Sequence, residues 1–322
     1  MMQPWGQHAA APYSADEGYC RIQAIDLNSA EHTKLGQPPT LPADSFLVSY
    51  IKRDRQFHML VDAGKKGQGE HIVIPALRAH GINRIDLLFI SHMHRDHYGG
   101  VIDLLTDGTI EIGRILVAPI PEEVIRTGNA TGYETWKELD RLLADHASIT
   151  RILGEDDVGA RIGVDDELFW TVIAVPDRDS FGTFGINDLN VVLKLHYRGF
   201  TALFPGDCGG PQAEQVLQSS QREAIRDVFF VKAAHHGKGE SLSKEMIELC
   251  NAQMAVITSN PYVAEHQRAK LMEHVYDYGA NGAKVYRADR CRRIELITDG
   301  NTVHSFADTR LYSEQTMYRL GR

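Results

Sequence analysis

Cysteine is scarce in this chain, with four among 322 residues: Cys20, Cys208, Cys250 and Cys291. No two are close enough for a CxxC pair, which excludes a local cysteine-based metal or redox motif. A chain of this size also has material for a core without disulfide staples, so a reduced, cytoplasmic protein is expected. Long apolar runs are lacking too. No stretch approaches the roughly 20 apolar residues needed to cross a bilayer, and no membrane contact is expected. Residues 1–17 hold neither a basic nor an apolar region, so no signal peptide is expected. Residues 1–18 read as a loosely ordered extension and 19–322 as one domain. Excess positive charge is missing as well: 34 Lys and Arg stand against 43 Asp and Glu, a formal charge of −9. That balance disfavours a broad grip on nucleic acid, which needs clustered cations.

What is present is ordinary globular material, 43% hydrophobic and 24% charged. Short runs rich in Val, Ile, Leu and Phe, bounded by Gly, Asp, Asn or Pro, predict strands. They fall at 22–27, 45–51, 57–61, 85–90, 114–118, 168–175, 190–197, 201–204, 228–232, 254–258, 284–287 and 293–297. Apolar stripes at helical spacing predict helices over 72–80, 135–146, 211–218, 243–250 and 267–278. Residues 120–135 read as a longer connection and a possible lid. About a dozen strands and five helices in mixed order suggest an α+β chain with two sheets covered by helices.

The informative segment reads IDLLFISHMHRDHYGG over 85–100. An apolar strand runs into Ser91 and is followed by His92, His94, Asp96 and His97. Alternate residues of an extended chain face the same way, so His92 and His94 can reach one metal ion. The turn that follows can aim Asp96 and His97 at a second. Imidazole and carboxylate suit Zn²⁺ first and Mn²⁺ or Fe²⁺ next. Gly99 and Gly100 would let the backbone turn into a helix starting near Val101.

HxHxDH after a strand, with two glycines following, resembles the signature of the metallo-β-lactamase superfamily. Other segments match in order. Leu60-Val61-Asp62-Ala63-Gly64 resembles its early Asp-Gly turn, Phe204-Pro205-Gly206-Asp207 its Gly-Asp segment, and Lys232-Ala233-Ala234-His235-His236-Gly237 its last metal-binding histidine. Within the superfamily the sequence is most similar to the hydrolase domain of competence-type (ComEC-like) DNA-internalisation proteins. The His-His-Gly triplet, Asn187–Leu195, Val73–Gly81, Val285-Tyr286-Arg287 and the terminal strand carry that likeness.

The resemblance implies a four-layer αβ/βα sandwich in one domain, with two divalent ions held by His92, His94, Asp96, His97, Asp207 and His235. Asp207 would bridge the ions and Asp62 would buttress the His loop. His236 would face substrate or donate a proton. The family usually supplies a third histidine to the first ion, between the His loop and the bridging Asp. Here only His146 and His196 fall in that interval, so Asp177 or Asn187 is expected to stand in. The cluster Arg287, Arg290, Arg292 and Arg293 reads as a solvated face, with a phosphate contact as the sharper alternative. Ser241 and His266 flank the cleft in relatives.

The expected reaction is hydrolysis by a hydroxide held between two cations, which lower the pKa of water from about 15.7 toward 7. Asp96 and Asp207 would orient that water, and His235 or His236 would assist the leaving group. The competence-type likeness implies a phosphodiesterase or nuclease-type activity on a nucleotide or other phosphodiester. The alternatives are a lactonase, thioesterase or β-lactam-type amidohydrolase, and a non-catalytic binding protein on the same fold.

Overall fold

A computed structural model describes residues 12–28, 41–238, 242–309 and 313–320. Part of the expected N-terminal extension, 1–11, and Ser241 lie outside the described residues.

Alternation along the strands builds two sheets that face each other. In the first sheet Phe46, Val48, Met59, Val61, Leu87 and Phe89 point to one side, while Leu47, Leu60 and Leu88 point to the other. This sheet has nine strands in the order Ser313–Arg319, Thr302–Thr309, Cys291–Thr298, Tyr19–Ala24, Phe46–Lys52, Arg55–Val61, Leu87–Phe89, Ile115–Val117 and Thr150–Ile152. The second has seven: Lys284–Arg287, Met254–Ile257, Phe230–Lys232, Phe200–Phe204, Val192–Tyr197, Leu168–Ala174 and Arg161–Gly163. A third, two-stranded sheet pairs Arg84–Ile85 with Glu111–Ile112.

One apolar core lies between the large sheets and joins the first face to Trp170, Leu193, Leu195, Phe204, Phe230 and Val256. The helices Ile74–Ala79, Arg95–Asp107 and Tyr133–Asp145 cover the outer face of the first sheet. Gly210–Gln218, Lys244–Cys250 and Arg268–Ala280 cover the outer face of the second. The result is the expected four-layer αβ/βα sandwich.

Both sheets change from antiparallel to parallel pairing partway across. Arg55–Val61 is parallel to Leu87–Phe89, and Phe200–Phe204 is parallel to Phe230–Lys232. The carboxyl ends of these parallel strands lead into Asp62, the His loop, Asp207 and the His-His-Gly turn. Just beneath them Phe46 of the first sheet meets Phe204 and Phe230 of the second edge-to-face, at centroid distances of 5.6 and 6.2 Å. Each such pair adds about 0.5–1.5 kcal/mol beyond area burial, and together they fix the separation of the two strand ends.

Several sequence expectations shift. The expected strand 85–90 is divided at Asp86, whose carboxylate accepts from His58 N and turns away from the ladder. The helix after the His loop begins at Arg95, not near Val101. Gly99 and Gly100 therefore lie inside it, and their role is close approach rather than turning. A Cβ on Gly99 would meet Lys66 N at 2.2 Å, and one on Gly100 would meet Ala63 O at 2.0 Å. The connection 120–135 is largely helical, with Glu122–Gly128 anchored by buried Ile125. The short strands Thr150–Ile152 and Arg161–Gly163 and the final hairpin Thr302–Thr309 and Ser313–Arg319 extend the sheets beyond the expected set.

Candidate metal centre

The His loop is held from below by Asp62. This residue sits at φ +56°, where the chain leaves its strand in a left-handed turn. Its carboxylate accepts from Ser91 N at 2.8 Å, Ser91 Oγ at 2.7 Å and His97 Nδ1 at 2.8 Å. Those bonds fix the loop and leave His97 Nε2 pointing away from Asp62. His94, in extended conformation, precedes the helix Arg95–Asp107, and Asp96 lies in its first turn. A carboxylate there suits the partial positive charge of a helix start.

On the second sheet, Gly206 takes φ +61° and a Cβ there would strike Asn190 Oδ1 at 2.4 Å. Asp207 N then donates to Asn190 Oδ1 at 2.9 Å, which aims the Asp207 carboxylate inward. The next strand ends in Lys232 and the His-His-Gly turn, where His235 and His236 both adopt left-handed backbone, at φ 50° and 55°.

These segments converge. Asp207 Oδ2 lies 3.3 Å from His97 Nε2 and 3.2 Å from His236 Nε2. The two Nε2 atoms are 3.2 Å apart, and His236 Nε2 is 3.6 Å from Asp96 Oδ2. On the adjoining side His92 Nε2 stands 3.9 Å from Asp207 Oδ2 and 3.1 Å from His94 Nδ1. Bonds of about 2.0–2.1 Å in a tetrahedral site place neighbouring donor atoms roughly 3.3–3.4 Å apart. His97, Asp207 and His236 have the chemistry and the mutual spacing to hold such an ion, and Asp96 borders them through His236 Nε2.

Titration follows from the same geometry. Burial works to raise the Asp207 and Asp96 carboxyls, but surrounding imidazoles, and Lys232 for Asp207, hold both well below the usual carboxylate range. Burial works to lower His97 and His236, but the carboxylates of Asp207 with Asp62 and of Asp207 with Asp44 push them up, His236 to about 9. Burial dominates at His92 and His94 and pushes both down.

The place beside Asp207, expected for His235, belongs to His236. Two consecutive left-handed residues turn their side chains to different sides, so one alone faces Asp207. His236 is fully buried there. His235 is half-buried, 3.2 Å from Asn187 Nδ2 through its Nε2 and within electrostatic reach of His94. Asp177 is not brought into the cluster. It caps a short helical turn, accepting from Asp179 N at 3.0 Å and Gln215 Nε2 at 3.3 Å, and lines a separate cavity of about 300 Å³. His146 bonds its own helix at Leu142 O, and His196 stacks on Phe169. His266 stacks on Tyr262. The arginine cluster is largely paired: Arg287 and Arg290 with Asp289, and Arg293 with Glu295 and Asp308. Cys208 is buried and its thiol is pushed up by burial, as suits a packed side chain.

Sequence reasoning missed Asp44 as a member of the cluster and treated Lys232 only as part of a motif. Asp44 Oδ2 lies 2.5 Å from Lys232 Nζ, and Asp44 Oδ1 lies 3.2 Å from His236 Nδ1. The available signals were an acid directly ahead of an apolar strand and a lysine closing a buried one.

The family model of the Metallo-beta-lactamase superfamily matches residues 39–172, which include the His loop and end ahead of Asp207. The chain is 24% identical over 245 residues to competence protein ComA of Neisseria gonorrhoeae, covering 75% of this chain and 29% of that protein's length. Among solved structures it is similar to a metallo hydrolase of the archaeon Ignicoccus hospitalis, at 12% identity and TM-score 0.45 over 94% of this chain and 100% of that one. It is also similar to the short form of human tRNase Z, at 15% identity and TM-score 0.43 over 74% and 92%.

Proposed function

We propose, from the match of residues 39–172 to the model of the Metallo-beta-lactamase superfamily and from the geometry of the centre, that the chain is a metal-dependent hydrolase acting on a phosphodiester. The observation that carries this reading is the meeting of His97 and His236 on Asp207 Oδ2, with Asp96 3.6 Å from His236 Nε2, four donor side chains from three distant segments. These four would hold one ion. His92 and His94, with Asp207 shared and His235 and Asn187 beside them, would hold a second. Zn²⁺ fits the donor set best, and Mn²⁺ also fits. Divalent ions, when bound there, supply Lewis acidity and an activated water at neutral pH.

The chain's own groups divide the remaining work. Asp96 and Asp207 orient water and accept its proton. His236 is enclosed within the cluster, whereas half-buried His235 stands at its rim. His235 is therefore the better placed of the two to give a proton to a leaving group. Lys65 lies within electrostatic reach of Asp96, Arg95 and Lys238, but its ammonium is buried and donates to Leu41 O at 2.9 Å. The proposed substrate is anionic, a nucleotide or a small phosphodiester, because divalent ions held at the centre would attract it. The formal charge of −9 and the pairing of the arginine cluster count against a long nucleic-acid track. No helix of the described residues is long and apolar enough to cross a membrane. The four cysteines are free and buried, which supports a reducing, cytoplasmic setting. Residues 19–322 are read as one functional unit.

The test is metal analysis of the purified protein, with turnover of bis-p-nitrophenyl phosphate set against lactone and nitrocefin panels. His94→Ala serves as the control. Metal-dependent phosphodiester cleavage is expected. Turnover of carbonyl substrates alone rejects the phosphodiester reading, and a protein without bound metal or metal-stimulated activity rejects the enzyme.

A further inference from the structure

We propose that Asp44 and Lys232 form one positioning device behind the metal centre, which aims His236 Nε2 at the ion and leaves Asp207 a single metal-facing oxygen. The inference rests on the metal-dependent reading above.

The four side chains Asp44, His97, Asp207 and His236 place ligand-type atoms within 4.8 Å of one another, so Asp44 has the chemistry of a fourth ligand. Its direction of approach decides otherwise. Asp207 meets both imidazoles at Nε2, at 3.3 and 3.2 Å. Asp44 meets them at Nδ1, 3.2 Å from His236 and 3.7 Å from His97. An ion bound to the Nε2 atoms lies on the far side of the rings from Asp44. A carboxylate in that position acts on the ring proton, keeping it at Nδ1 so that the Nε2 lone pair is free for metal. Thr258 Oγ1 shares the task, 3.1 Å from His236 Nδ1. Both Asp44 oxygens are buried without an aligned hydrogen bond, so the carboxylate is held by charge.

Lys232 supplies that charge. An ammonium has three protons to donate. Lys232 Nζ, itself buried, has three oxygens around it: Gly206 O at 2.6 Å, Asp207 Oδ1 at 3.0 Å and Asp44 Oδ2 at 2.5 Å. It donates to the first two and meets the third as an ion pair, and it is buried among them, which sets Lys232 apart from a catalytic lysine. With Oδ1 of Asp207 engaged, Oδ2 is the oxygen presented to His92, His97 and His236. Asp44 and Lys232 also need each other. A buried charge left without its partner is strongly destabilising, while removal of both together is tolerated far better.

The experiment uses the full chain, with Zn²⁺ affinity measured against a chromogenic chelator and the visible absorption of the Co²⁺-loaded protein as a probe of coordination number. Asp44→Asn is expected to weaken Zn²⁺ binding by about 10–100-fold, the usual effect of losing a partner behind a ligand, while saturating Zn²⁺ still restores full occupancy. Lys232→Met is expected to lower the intensity of the Co²⁺ bands, because Asp207 gains a second free oxygen and coordination number rises. The double variant Asp44→Asn/Lys232→Met removes opposite charges together and covers the case in which a single variant fails to fold. Its affinity loss is expected to be no greater than the larger single loss. Wild-type affinity and spectrum in all folded variants would overturn the proposal. So would complete loss of metal from Asp44→Asn at saturating Zn²⁺, which would make Asp44 a ligand. A wild-type protein that binds no metal is a separate result and overturns the hydrolase reading instead.

Discussion

One short motif builds two unlike flanks around Asp207. The deep flank, at Asp96, His97 and His236, has donor atoms 3.2–3.6 Å apart, and each imidazole is backed at Nδ1 by Asp62 or by Thr258 and Asp44. The outer flank, at His92 and His94, meets Asp207 Oδ2 only at 3.9 Å, and His94 is half-buried. Carboxylates push the deep imidazoles up in pKa, whereas burial pushes the outer ones down. The deep flank is thus a pocket of fixed negative charge completed by a cation. The outer flank is nearly all imidazole and depends on Asp207 for its charge. Asp96 gives the deep flank a carboxylate of its own, which the outer flank lacks. The groups behind each ring differ as well, and together these set how firmly an ion is held.

The comparison is broken most completely at the residue both flanks share. Asp207→Ala is expected to abolish stoichiometric metal and lower phosphodiester turnover by about a thousandfold or more, since Lewis-acid stabilisation is worth several kcal/mol. Metal-to-protein ratio and turnover are the measurements, and a variant that keeps two ions would remove Asp207 from the centre. Next comes the histidine pair. His236→Ala is expected to lose the deep ion, with an affinity loss beyond the 10–100-fold typical of a backing residue. His235→Ala should change affinity by less than about tenfold and act mainly on turnover rate. Equal losses of metal in the two variants would erase the distinction between cluster and rim. Asp62→Asn should weaken the deep ion by about 10–100-fold through His97 while sparing the outer one, as read by two-step calorimetric titration. Loss confined to the outer ion would invert the assignment.

The difference between the flanks also marks how far the sequence could be read. The His loop is contiguous, so strand periodicity and ligand spacing together exposed His92, His94, Asp96 and His97. Asp207 was read from the resemblance of its segment to a family motif and from its order between the His loop and the His-His-Gly triplet, since Pro205 and Gly206 alone would explain a turn. The choice between His235 and His236 was not, because it depends on left-handed backbone at both positions, and neither residue type announces it. Asp44 and Lys232 carry no local pattern. They meet across 188 residues of chain, and their partnership exists only once the two sheets face each other. Among the elements, Thr302–Thr309 escaped notice because its polar alternation lacks the apolar run that marked other strands. Glu122–Gly128 escaped because it offers one buried side chain, Ile125, to the core.

The smallest expected effect sharpens the comparison at the outer flank, where His92 and His94 are the two imidazoles the His loop supplies. Asn187 stands beside His235, with Nδ2 3.2 Å from His235 Nε2 and a buried Oδ1 that has no hydrogen-bond partner among the described residues. Asn187→Asp keeps the shape and adds the fixed negative charge that distinguishes the deep flank. One pKa unit of added interaction corresponds to about 1.4 kcal/mol, so the outer ion is expected to bind up to about tenfold more tightly while the deep ion is unchanged. Asn187→Ala should loosen the same step by a few-fold, because a single neutral contact contributes about 1 kcal/mol. Calorimetric titration of Zn²⁺ into the apoprotein resolves the two steps. If both variants leave the weaker step untouched, Asn187 lies outside the outer flank and His235 alone adjoins His94 there. If Asn187→Asp tightens the stronger step instead, the unequal shells do not set the order in which the ions bind.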